Sequence, residues 1–446
     1  MIKNRQLFSV VFFIFFCNTI TYASADATAP KLSLQDLIRI ALKRSPTLKK
    51  SEAELQVSVS DTSQARGALL PSINLNSSVT TKDNPANLSS SSVATSIVSN
   101  TSEEYSVYLE ATQPIYSGGV LSALALSHQV EDVKRLSLVN ETQELIASVT
   151  QAYYQVAEQA RLLAAAEQNV KTLSQHAATI GRYEKIGRAR KTDRLQAQVN
   201  LAMAQAEVKK IETDLIAAKG DLRKLLALED IPNIELPKDL LKIQYEKIKL
   251  DEAVEKAMRA NPEIQILNVN LEKVKYEKSV ALSSDMPELK LSGQVGYRSP
   301  NRPDWFEDTS EYTQVALNLK VPLFSGLSSL AKRRGFEQQK MIATREVELK
   351  KLNISAGLHS AVADLESTID RLEMARQASE NASAALTLAG RDYQQGLISS
   401  QDLVGVQRTR YDAEKLFVST QFVYFNTLLK ARRLMGVQLE KIYAEN

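Results

Sequence analysis

The feature that most constrains this chain is that its plan is written twice. Leu34, Asp36, Ala41 and Ser45-Pro46 recur 216 residues later as Leu250, Glu252, Ala257 and Asn261-Pro262, and Pro71 and Pro287 keep that offset. Farther on, Pro114-Ile115-Tyr116-Ser117-Gly118 matches Pro322-Leu323-Phe324-Ser325-Gly326 at an offset of 208, so residues are lost between the paired prolines, where a loop would sit. Gly187 with Gly396, Asp193 with Asp402, Gln198 with Gln407 and Leu225 with Leu434 then hold an offset of 209. Two copies of one supersecondary plan form one architecture. The expected boundaries are a first repeat over 26–228, an equatorial joint over 229–248, a second repeat over 249–436 and a tail over 437–446.

Within each copy the hydrophobic period changes. Val149, Ala152, Val156, Ala160, Leu163, Ala166, Val170, Leu173, Ala177 and Ile180 are three or four apart, as are Leu201, Ala204, Val208, Ile211, Leu215, Ala218, Leu222 and Leu225. A seam repeating about every 3.5 residues imposes coiled-coil packing. With only 15 Gly and 12 Pro among 446 residues, long helices meet few interruptions. The spacing predicts one helix over 34–70, a long one over 117–187 and a third over 188–228, the shorter two stacked alongside the long one. Between helices the period falls to two. Strands are expected near 71–81, 103–116, 287–299 and 311–324, each with apolar residues at odd positions, such as Ile73, Leu109, Val295 and Leu317, and polar ones at even positions, such as Asn74, Glu110, Gln294 and Asn318.

Ten tilted residues of strand cross a bilayer's hydrocarbon, and an apolar-out, polar-in dyad suits a barrel wall. A soluble sandwich would show the same alternation. Aromatic placement favours the barrel: Tyr116 and Phe324 lie at one end of the strands, and Tyr297, Tyr312 and the sole Trp305 at the other, as two interfacial girdles would. The Ser/Thr-rich stretch 82–102 and the Pro/Asp-rich stretch 298–309 would then be exposed loops. Four strands cannot close a barrel, and open edges in lipid leave backbone groups unpaired, so the chain must oligomerise.

Residues 1–25 read as a cleaved secretory signal: Lys3 and Arg5, an apolar run Leu7-Phe16, then Ala23-Ser24-Ala25. The lone Cys17 falls inside it and follows Phe16 rather than the small residue a lipidation site needs. One Cys and three His assemble no metal cluster, and no cofactor-binding or catalytic pattern is present. A net charge of +3 gives no electrostatic basis for binding nucleic acid. His128, His176 and His359 are read as solvated, on polar helix positions.

On these duplicated patterns, together with Leu70-Pro71-Ser72-Ile73, Met286-Pro287-Glu288-Leu289 and Tyr393-Gln394-Gln395-Gly396-Leu397, the sequence resembles the TolC-like outer-membrane factor family. The resemblance implies an α+β membrane protein. Four transmembrane strands and long coiled-coil helices per chain would build a homotrimer with a β-barrel in the outer-membrane lipid and an α-helical barrel in the periplasm. It also implies a periplasmic adaptor (membrane fusion) protein and an inner-membrane transporter as partners, and export of small toxic compounds or type I secretion of proteins as the task. Residue by residue, Thr192, Asp193, Tyr393 and Asp402 fall at the gated periplasmic entrance, and Gly187, Gly396 and Leu397 at the adaptor-facing tip turns. Ile398 stands where an arginine latch is common, and Gly405 where some members carry a second Asp. A soluble periplasmic coiled-coil adaptor or scaffold is the competing function. For Asp193 and Asp402 the competing role is helix capping, since both sit just past a Gly turn. The alignment of Tyr183 with Tyr393 stays open, because Tyr183 lies four residues before its glycine and Tyr393 three.

Overall fold

A computed structural model describes residues 32–84, 100–230, 234–235, 245–299 and 310–443. The signal segment, Trp305 and most of both strand-connecting loops lie outside the described residues. Among the described residues nine α-helices and four strands follow one another as α1 (Leu34–Arg44), α2 (Pro46–Gly67), β1 (Ser72–Asn84), β2 (Asn100–Ser117), α3 (Gly118–Lys185), α4 (Lys191–Leu226), α5 (Leu250–Ala260), α6 (Pro262–Ala281), β3 (Glu288–Ser299), β4 (Ser310–Lys320), α7 (Ser328–Gln394), α8 (Ser400–Leu434) and α9 (Leu439–Tyr443). The second repeat retraces the first, helix pair by helix pair.

The helix expected over 34–70 is broken. Ser45 ends α1, its N–H donating to the Ala41 carbonyl at 2.8 Å, and starts α2, its Oγ accepting from the Leu48 N–H at 3.4 Å. Pro46, lacking an N–H, is suited to the first helical position and cannot continue the helix before it. Asn261-Pro262 repeats the device between α5 and α6. The Asn261 N–H donates to the Ala257 carbonyl at 3.0 Å, its Oδ1 accepts from the Glu263 N–H at 2.9 Å, and its Nδ2 reaches the Leu434 carbonyl at 3.0 Å.

At 68 residues, α3 is about 100 Å long at 1.5 Å per residue. It packs against α2 near its N-terminus and α4 toward its C-terminus, and α7 likewise against α6 and α8. Lys134 Nζ to Glu54 Oε2 at 2.8 Å ties α3 to α2, and Lys278 Nζ to Glu337 Oε1 at 2.6 Å ties α6 to α7. The seam residues Val149, Val156, Ala166, Leu173, Ile180, Ala204, Ile211, Ala218 and Leu222 are buried. The main core sits midway along α3, where Leu37 and Ile38 of α1, Ile146 and Tyr154 of α3, Leu222 and Leu226 of α4, Phe422 of α8 and Leu439 of α9 converge. Tyr154 stacks on Phe425 with ring centroids 4.7 Å apart.

The strands form one antiparallel sheet in the order β1-β2-β3-β4, leaving β1 and β4 as edges. Its register keeps one parity up to a bulge at the end of β2: Leu75 faces Leu109, Leu109 faces Val295, and Leu291 faces Leu317. The odd residues make one continuous apolar face, with Ile73, Leu75, Val315 and Leu317 all exposed. On the even face, the Glu110 carboxylate accepts from Asn76 at 3.2 Å and from Gln294 at 2.9 Å, and the Ser78 and Ser106 hydroxyls meet at 2.8 Å. Parity changes once. Pro114 cannot donate to the ladder, and a bulge there sets Tyr116, an even residue, opposite Leu289, which returns it to the apolar face. Tyr312 departs from its expected girdle position. It lies on the even face, its ring 6.1 Å from that of Tyr108 and 4.8 Å beneath the Arg298 guanidinium. β2 runs longer than expected, and β4 stops at Lys320 rather than 324.

Candidate functional site: the helical tip

The ends of α3 and α7 farthest from the sheet turn back through Gly187 and Gly396, whose φ values of 75° and 77° need glycine. Both turns close with the same backbone pair. The Arg188 N–H donates to the Tyr183 carbonyl at 2.8 Å and the Leu397 N–H to the Asp392 carbonyl at 2.8 Å, six residues apart inclusive, as in a Schellman motif. This superposes Tyr183 on Asp392 and Glu184 on Tyr393. Tyr183 is therefore not the repeat partner of Tyr393.

After each turn a carboxylate caps the next helix. Asp402 Oδ2 accepts from the Ser399 N–H at 3.0 Å and the Ser399 hydroxyl at 2.6 Å, while Ser399 Oγ accepts from the Asp402 N–H at 3.2 Å. These hydrogen bonds hold the Asp402 carboxyl below the usual carboxylate range. Asp193 Oδ2 accepts only from the Arg190 N–H, at 3.0 Å. Capping is thus present at both sites, and it engages one carboxylate oxygen of each.

Tyr393 is partly buried, and burial pushes its phenol above the ordinary value, with Tyr183 and Asp193 adding to the shift and a hydrogen bond to Ser400 opposing it. Tyr393 and Asp193 are thus brought together across the two repeats. Thr192 is exposed, and the Asp402 carboxylate turns to its own cap instead.

A further tip residue corrects the sequence reading. His176 is buried, not solvated: its Nε2 lies 2.9 Å from Ser400 Oγ and its ring 5.8 Å from that of Tyr393. Burial pushes its imidazole below the usual value. The signal was one residue away, because the seam Leu173, Ala177, Ile180 is equally well spaced as Leu173, His176, Ile180, and the latter three are the buried ones. His128 is partly exposed and His359 exposed.

The sequence matches the family model for outer membrane efflux proteins over residues 37–228 and 253–436. The chain belongs to that family. It is 23% identical over 420 residues to the outer membrane protein TolC of Vibrio cholerae, covering 92% of each chain. It is also 23% identical over 336 residues to the protein CyaE of Bordetella pertussis, covering 75% of this chain and 69% of CyaE. Among solved structures, the open state of the MtrE outer membrane channel of Neisseria gonorrhoeae superposes with a TM-score of 0.76 at 21% identity, covering 91% of this chain and 89% of MtrE. That likeness shows the fold. As a member of the outer membrane efflux protein family, the chain is an efflux or secretion channel of the outer membrane, with its helices in the periplasm. The family is made up of channels rather than enzymes.

Proposed function

We propose that three copies of this chain assemble into one exit duct, carrying small toxic compounds or secreted proteins across the outer membrane and periplasm. The observation that supports it most is the sheet: four strands, one continuous apolar face, and two edges without a strand partner among the described residues. In lipid an open edge costs several kcal/mol for each unpaired backbone group, so β4 of one copy pairs with β1 of the next. Three copies supply about 12 strands, an even number that closes. The even face, with Glu110, Gln294 and Asn76, then lines the lumen.

At the far end, Thr192, Asp193, Tyr393 and Asp402 line and latch the periplasmic entrance, and the turns at Gly187, Gly396 and Leu397 meet a periplasmic adaptor that joins the duct to an inner-membrane transporter. The packing of the Tyr393 ring, in the second repeat, against His176 of the first supports the latch. Chemical cross-linking in mild detergent is expected to trap trimers from outer-membrane extracts. Monomers alone, or a tetramer, would overturn the assembly. A soluble adaptor would be released without detergent.

A further inference from the structure

The two tip turns share a backbone and differ in charge. At equivalent positions the first repeat carries Lys185, Arg188, Arg190 and Lys191, and the second carries Gln394, Leu397, Ser399 and Ser400. All four cations are exposed and none has an ion-pair partner among the described residues. The α3 dipole favours Lys185, in the last turn of that helix, but local structure does not call for Arg190 or Lys191. Ser399 caps α8 with its side chain, whereas Arg190 in the same position makes no side-chain cap bond to α4. Arg190 and Lys191 also place positive charge at the positive end of the α4 dipole. A sequence that breaks a capping rule and a dipole rule at neighbouring exposed positions has accepted a less stable helix end, the pattern expected where function decides.

The excess is not neutralised by assembly of identical copies. Residues 182–194 and 391–402 together hold seven basic and four acidic side chains. Of the acids, Glu184 is paired with Arg194 at 2.7 Å, and Asp193 and Asp402 are held in their caps. Each added copy brings the same ratio, so every copy contributes three uncompensated positive charges. Beside them stand two exposed apolar side chains, Ile186 at 64% and Leu397 at 69% exposure, flanking the two turns. Apolar knobs ringed by unpaired cations suit a protein surface with its own apolar patch and a carboxylate rim.

We infer that the first tip turn is a docking surface for an acidic protein partner, one whose surface offers carboxylates to Lys185, Arg188, Arg190 and Lys191 and apolar side chains to Ile186 and Leu397. The inference rests on the reading of the tip as the adaptor-facing end and adds the partner's charge. Lipid is not the occupant, since these residues stand a helix of about 100 Å from the sheet.

The test uses the full chain, assembled in mild detergent, and a designed antiparallel helical hairpin carrying four Glu at its turn, with a twin carrying four Gln. The Glu hairpin is expected to bind about tenfold more tightly than the twin in 50 mM salt, with most of that preference gone at 300 mM. The preference should vanish in a variant combining Arg188→Ser, Arg190→Ser and Lys191→Ser. Equal binding of both hairpins to the unaltered chain, or a preference that survives the triple change, overturns the inference. Export by living cells separates it from the broader reading. If Leu397→Asp abolishes export while the triple variant exports normally, the tip docks a partner without charge recognition. If neither variant affects export, the adaptor-facing assignment itself fails. A triple variant that alters only the ion preference of the channel assigns the cations to permeation and likewise overturns the docking role.

Discussion

The Nε2 atom of His176 in the first repeat lies 2.9 Å from the Oγ atom of Ser400 in the second, and this contact joins the two coiled coils at the tip. The imidazole faces Ser400 and Tyr393, with Tyr183 and Asp193 grouped around that phenol. Its burial holds the imidazole below its ordinary value here, and if opening of the tip exposes the ring, the value returns to about 6.5. The open form therefore binds the proton more readily. A gate held by this contact would be stabilised fully above about pH 6.5 and weakened as pH falls toward the lower value of the buried ring. Channel opening in planar bilayers is expected to rise as pH falls below about 6.5, and His176→Gln should flatten that rise. A His176→Ala change removes one hydrogen bond per copy, worth about 1 kcal/mol, and should favour the open form about fivefold per contact. A wild-type channel with no pH response in this range would overturn a gating role for the contact.

The parity of the sheet makes a second expectation. Leu317 is 65% exposed on the apolar face opposite Leu291, and its neighbour Asn318 donates to Ser292 on the other face. Leu317→Arg should cost roughly 2–4 kcal/mol near the membrane midplane, while Asn318→Arg places its charge in the lumen. Assembled protein measured in purified outer membranes should fall sharply for the first and little for the second. Equal amounts would reverse the assignment of faces.

Gly296 gives a third. A Cβ built there would stand 2.2 Å from the Val107 carbonyl oxygen and 2.5 Å from the Tyr108 Cα, both backbone atoms of β2, while one at Gly293 would meet nothing within 4 Å. Gly296→Ala must shift the β2-β3 pairing and should cost at least the roughly 1–3 kcal/mol of an overpacked site. Gly293→Ala should be tolerated. The heat needed to dissociate the assembled protein on gels compares the two directly, and matching dissociation temperatures would contradict the close approach.

How much of this was legible in the sequence varies with the distance over which each feature is decided. The coiled-coil seam and strand parity are local periodicities, and Val149 to Ile180 and Ile73 to Leu317 could be read along the chain. The break at Ser45 was written in Pro46, which cannot continue the helix before it, and the capping bonds of Ser45 show that one residue ends α1 and begins α2. The bulge at Pro114 depends on pairing with β3, which no single strand encodes, whereas the even-face position of Tyr312 follows from the parity of β4 alone. His176 was misjudged because a polar side chain is placed inside only by its partner, here Ser400 from a segment 224 residues away.

The last expectation concerns Asp402, where charge and capping are separable. Its Oδ2 serves the Ser399 cap, which leaves the carboxylate ionised over a wider pH range than a free one. In a trimer three such groups, with three from Asp193, stand at the third position of α8 and α4, one turn beyond the exposed cations of the tip. If they ring the lumen while the unpaired cations of the tip face outward, they attract cations there, and the wild-type channel should be small in conductance, cation-preferring and blocked by divalent cations. Asp402→Ala should weaken the preference and the block, and Tyr393→Phe should raise conductance by loosening the latch without changing selectivity. Ser399→Ala supplies the control, because it removes two of the three cap hydrogen bonds while keeping the carboxylate. A channel whose selectivity follows the charge changes at Asp402 and ignores Ser399→Ala is gated by an electrostatic ring. One in which both variants destabilise α8 equally and neither alters ion preference would leave Asp402 as a helix cap alone.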